Sequence, residues 1–135
     1  MGLERFVDVQ DRVYENVLRE LRRGEKRSHW VWFVFPQIAG LGHSDMARRY
    51  GIESLAEAEE YLAHPKLGPR LRECIAIVNE VEDRTISQIM GYPDDMKLRS
   101  CLTLFARATP DNQVFLDAIT KYYGGEMDPE TLKRL

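Results

Sequence analysis

The sequence predicts an all-α fold, a compact single-domain multi-helix bundle built around a short buried aromatic helix. Three observations lead there. Apolar residues recur three and four apart along most of the chain, the spacing that lines one face of a helix. Helix starters and stoppers punctuate that pattern, among them Gly24, Ser54, Gly91, Gly124-Gly125 and Asp128-Pro129. Only Trp30 to Phe35 has the β-branched and aromatic composition of a strand, and no second stretch offers it a pairing partner. At 135 residues, 44% hydrophobic and 30% charged, the chain suits one domain over residues 1–135 with one core.

The elements follow in order. Leu3, Phe6, Val7, Val13, Tyr14, Val17, Leu18 and Leu21 share helical spacing, and Gly24 ends the run. Arg19, Arg22 and Arg23 lie where the helix dipole favours cations, and the basic cluster continues through Lys26 and Arg27. Glu20 and Glu25 interrupt it, so it reads as a solvated helix end rather than a phosphate-binding patch. Trp30 to Phe35 reads as the central helix, wrapped by its neighbours. The segment from Pro36 to Asp45, with one proline and two glycines, reads as irregular backbone that Ser44 or Asp45 ends by capping a helix.

Ser54 and Glu57 form a capping box that opens a helix to about Ala63, closed by His64-Pro65. A second periodic stretch carries Leu67, Leu71, Cys74, Ile75, Val78 and Val81. Thr85 to Met90 reads as a short helix ended by Gly91. Asp94 or Asp95 caps the next helix, whose core stripe is Leu98, Cys101, Leu102 and Phe105. Another helix spans about Asn112 to Tyr123. The last is capped by Asp128, has Pro129 in its first position and runs to Leu135.

Composition excludes several classes of function. A net charge of −3 with pI near 5.6 argues against general nucleic-acid binding. The start, MGLERFVDVQDR, lacks the pattern of a secretory leader, and the longest apolar run is Trp30 to Phe35, so no membrane span is expected and the location is cytoplasmic. Cys74 and Cys101 are too few for a disulfide framework. His29, His43 and His64 fit no metal-ligand spacing, and no cofactor motif is present: Gly40-Leu41-Gly42 matches neither a dinucleotide fingerprint nor a P-loop.

Two segments gather the residues capable of chemistry. In the first, helical geometry puts His29, Trp32 and Phe33 on one side, with Gln37, Gly42, His43 and Ser44 following. A histidine beside an indole and a glycine-rich loop can wall a pocket; equally, the aromatics are core and His29 bonds nearby backbone. In the second, Lys97 and Ser100 share a helix face. A Ser–Lys dyad is the catalytic reading, a lysine paired with Asp94 the structural one, and a ligand-binding lysine lies between them. Arg70 falls in the first turn of its helix, where the dipole disfavours a cation, so it either holds a carboxylate or phosphate or faces solvent. His64, before a proline at a helix end, reads as an ordinary C-terminal cation.

Four segments carry a family resemblance: LERFVDVQDRVYENVLRELRRGEKRSHWVWFVFPQIAGLGHS, YLAHPKLGPRLREC, PDDMKLRSCLTLF and FLDAITKYYGGEMDPETLKRL. In that order they resemble the domain of unknown function 1810 family over essentially the whole chain. The resemblance implies a compact, monomeric, mainly helical protein with a cleft bordered by His29, Trp32, Gln37, Gly42, Ser44, Arg70, Lys97 and Ser100. It brings no activity with it. The calpastatin label given to some members does not suit a chain without low-complexity, disordered character. Where relatives often carry further serines after Lys-Leu-Arg, this chain has Ser100-Cys101-Leu102, so position 101 is not expected to be polar.

The expectation is a monomer binding a small anionic or nucleotide-like ligand in that cleft. The alternatives are a hydrolase acting on such a ligand and a protein-interaction module without a small-molecule site. The first two require the aromatic segment and the Lys97 helix to meet in space.

Overall fold

A computed structural model describes residues 2–135, and within them the protein is all-α. Nine helices are present among the described residues: α1 (Glu4–Arg22), α2 (Val31–Val34), α3 (Asp45–Tyr50), α4 (Leu55–Ala63), α5 (Leu67–Glu80), α6 (Ile86–Met90), α7 (Asp94–Ala108), α8 (Gln113–Tyr123) and α9 (Pro129–Lys133). Their starts follow local chemistry. The side chains of Ser44, Ser54, Thr85 and Asp128 each accept a backbone N–H three residues on. At Thr85 the return bond from Gln88 completes a capping box. Helix α7 starts one residue earlier than an Asp94 cap implies: Pro93 occupies the cap position without a side-chain bond, and Asp94 lies in the first turn.

Helix α7 packs against α2, α4, α6, α8 and α9, while α5 packs against α1, α4 and α8. An aromatic chain runs through the centre, from Phe33 to Tyr50, Phe6, Tyr61, Phe105 and Phe115, with successive ring centroids 5.2–6.2 Å apart. The Trp30–Phe35 run supplies only one helical turn, closed by the Val34 and Phe35 amides donating to the Trp30 and Val31 carbonyls. All of its residues are buried except the half-buried Trp32. One of its carbonyls finds a side chain: the buried amide of Gln10 donates to the Phe33 carbonyl at 2.6 Å and to the Tyr61 hydroxyl at 3.0 Å.

Two further backbone approaches shape the fold. The segment after the aromatic turn pairs with residue 52 in a short parallel bridge, Ala39 N to Ile52 O at 2.8 Å and Ile52 N to Gln37 O at 2.9 Å. Helix α5 crosses α4 so closely that a Cβ on Gly68 would stand 2.1 Å from the Leu62 carbonyl oxygen.

The reading of residues 19–27 as a solvated helix end is corrected at Glu20, which is buried. Its carboxylate accepts the Arg27 amide (2.8 Å), the Ser28 amide (3.0 Å) and hydroxyl (2.6 Å), the Trp30 indole N–H (2.9 Å) and the Asn16 amide (2.8 Å). Burial pushes its pKa up, but these bonds, led by the Ser28 hydroxyl, prevail and hold it down at about 2. His64 is corrected too. Its Nδ1 accepts the amides of Lys66 and Leu67, so its ring serves the start of α5 rather than the end of α4.

Candidate functional site

The aromatic turn and the first half of α7 do meet. The Lys97 Nζ lies 5.5 Å from the centre of the Trp32 ring, a cation–π arrangement. Around this pair opens a groove in two compartments. The inner one, bounded by Trp32, Phe35, Gln37, Met46, Tyr50 and Lys97, has about 10 Å³ of space, room for roughly one water. The outer one is about 310 Å³ and is bordered by Gln37, Leu41, Gly42, Met96, Lys97, Ser100, Asp128 and Glu130. Gln37 and Lys97 border both.

Sequence and packing explain how each side chain arrives. The bridge to Ile52 pins the Gln37 backbone, whose residue shares the lining of both compartments with Lys97. Gly42 permits the loop to lie against α3, since a Cβ there would meet that of Ala47 at 2.9 Å. Lys97 and Ser100 project from adjacent turns of α7, and α9 closes the far wall with Asp128 and Glu130.

The electrostatics around Lys97 are asymmetric. Asp94 sits between two lysines but is committed to one. The buried Lys26 approaches its Oδ2 at 2.7 Å, whereas Lys97 stands 3.8 Å from Oδ1. Lys26 also donates to the Ser28 carbonyl and lies 5.1 Å from the centre of the Trp30 ring. The Lys97 ammonium, by contrast, donates no hydrogen bond to any described residue, and neither does the half-buried Gln37 amide.

Of the eight sequence candidates, the structure brings Trp32, Gln37, Gly42, Lys97 and Ser100 to this groove. The other three point elsewhere. Ser44 spends its hydroxyl capping α3, and His29 is exposed without a hydrogen bond to any described residue. Arg70 faces α1, where it pairs with Asp11 at 2.6 Å and lies 5.0 Å from the centre of the Tyr14 ring. A carboxylate partner was one of its two sequence readings, and Asp11 is that partner. Lys97 and Ser100 form no dyad: the Ser100 hydroxyl is within reach of the Asp128 carboxylate at 3.0 Å and the Met96 carbonyl at 3.3 Å, not of the ammonium.

Sequence reasoning missed Asp128 as a groove residue and Lys26 as the partner of Asp94. Asp128 was legible as a cap, but nothing local to it shows which helix it faces. A second, open hollow of about 480 Å³ lies among Gly2, Leu3, Glu4, Glu57, Glu60 and His64. No group of three or more His, Cys, Asp or Glu among the described residues is placed to hold a metal ion.

The model of a family described as protein of unknown function (DUF1810) matches residues 1–135, the whole chain. The chain belongs to that family. No curated protein matches it. Among solved structures, this DUF1810 chain is similar to a conserved hypothetical protein from Mycobacterium tuberculosis. The two are 57% identical, the match covers 98% of this chain and 95% of that one, and the TM-score is 0.98. No helix of the described residues is long and apolar enough to cross a membrane.

Proposed function

We propose that this DUF1810 protein binds a small ligand through an anionic group, a carboxylate or a phosphoryl, in the groove between loop 37–42 and α7. One observation carries the reading: Lys97 and Gln37 border both compartments, and their polar ends hydrogen-bond to no described residue. An ammonium held by an aromatic face and a carboxylate 3.8 Å away lacks close acceptors, and an oxyanion supplies them. Because Lys26 already neutralises Asp94, the charge on Lys97 is not cancelled locally. Trp32 adds a flat apolar wall against which a planar group, such as a nucleobase, can lie. Binding is favoured over hydrolysis because the Ser100 hydroxyl has Asp128 and Met96 as its neighbours rather than an activating lysine.

The protein acts in this reading as one domain and as a monomer, since Tyr92, Met96 and Leu135 are the large hydrophobics exposed among the described residues. Its two unpaired buried cysteines suit the reducing cytoplasm. Thermal unfolding with nucleotides, phosphorylated metabolites and small carboxylates tests the proposal. A ligand at a hundredfold excess over its Kd stabilises by about 2.7 kcal/mol, a rise in Tm of several degrees. Lys97→Ala is expected to remove that rise while leaving the ligand-free Tm near wild type. A panel without any response, or a response that Lys97→Ala retains, refutes the reading.

A further inference from the structure

We infer that the ligand of this groove is a zwitterion, carrying an ammonium group that docks on Asp128 in addition to the anion met by Lys97. The inference rests on the binding reading above and adds the second pole. Among the partly or fully buried carboxylates, Asp128 stands apart. Glu57 and Asp94 have cation partners, Arg5 at 3.4 Å and Lys26 at 2.7 Å. Glu20 has both oxygens filled by hydrogen bonds, and Asp95 has Met96 N on one oxygen and Ser87 Oγ on the other.

Asp128 has neither arrangement. Its Oδ2 accepts from Ser100 Oγ (3.0 Å), Thr131 N (3.1 Å) and Thr131 Oγ1 (2.6 Å), while its Oδ1 accepts from no described residue. No Lys, Arg or His of the described residues comes within 4.0 Å of it. The neighbouring Glu130 is paired with Lys133 at 3.2 Å.

The groove is therefore bipolar. An uncancelled ammonium and an uncancelled carboxylate border the same hollow of about 310 Å³, whose lining also includes the apolar Leu41 and Met96. Three hydrogen bonds hold Asp128 in place, so its free oxygen is preorganised for a donor. A charged donor suits that oxygen better than a neutral hydroxyl, because ionised partners make hydrogen bonds roughly twice as strong.

Calorimetric titration of the full chain tests the second pole. Glycine, β-alanine, γ-aminobutyrate and ε-aminocaproate vary the distance between the charges, and caproate, hexylamine and N-acetyl-ε-aminocaproate each lack one of them. One chain length is expected to bind at least about tenfold more tightly than its acid without the amine, a gain of ~1.4 kcal/mol. Asp128→Asn should erase the gain without weakening binding of the plain acid, since it removes a negative charge from the groove; Asn still offers an oxygen to cap α9, so the Tm should hold. The acetylated ligand makes the same comparison without altering the protein. Equal affinity of acids and amino acids at every length, with the acids still dependent on Lys97, overturns the zwitterion and leaves anion binding standing. Failure of these compounds and of the phosphorylated panel overturns both.

Discussion

Glu20 shows how one side chain substitutes for regular structure. Residues 25–30 form no helix, yet the carboxylate collects two amides, a hydroxyl and an indole N–H from them and fixes their path into the aromatic turn. With the folded pKa at about 2 against an ordinary 4.5, the charged form is favoured by folding. The difference corresponds to about 3 kcal/mol, fully present above pH 4.5 and lost as the pH falls through the window toward 2. Glu20→Gln should lower stability by a similar amount at pH 7 and flatten this acid limb, both read from urea-unfolding midpoints between pH 2 and 7. An acid limb unchanged by the substitution would assign it to other carboxylates. The role was illegible in the sequence, where Glu20 lies among arginines; its burial depends on a loop folding back over it.

At the scale of elements, local chemistry was readable and close approach was not. The caps at Ser54 and Asp128 and the glycine stops rest on neighbours a few residues away, so sequence is enough to place them. The aromatic run pulled the other way: its composition favours a strand, and the lack of a pairing partner decided for the helical turn that forms. The close approach of α5 to α4 had no such signal, since nothing beside Gly68 in the sequence shows that the Leu62 carbonyl stands against it. Its missing side chain makes room for the Leu62 carbonyl. Gly68→Ala places a carbon where backbone stands, so the helices must separate, at an expected cost of about 3 kcal/mol. Thermal or urea unfolding measures it, and a variant as stable as wild type would mean that the crossing relaxes freely.

At the scale of the molecule, the groove was half legible. Trp32, Gln37, Gly42, Lys97 and Ser100 were singled out from two segments and face one hollow, because the aromatic turn packs against α7. Of the others grouped with them, Ser44 caps α3, Arg70 pairs with Asp11 and His29 lies exposed. Asp128 entered only through the docking of α9 on α7.

The same docked core encloses both thiols. Cys74 and Cys101 have no solvent exposure, and burial pushes Cys74 up to about 12 and Cys101 well above its ordinary value. Neither is a thiolate at neutral pH, so alkylating reagents must wait for the bundle to open. The two buried thiols thus become clocks. Under fast reclosing, the labelling rate of each relative to the unfolded chain gives its opening free energy. Because Cys74 sits on α5 and Cys101 on α7, equal rates, followed by mass spectrometry, are expected if the helices release together, and faster labelling of one would mark a bundle that comes apart in stages.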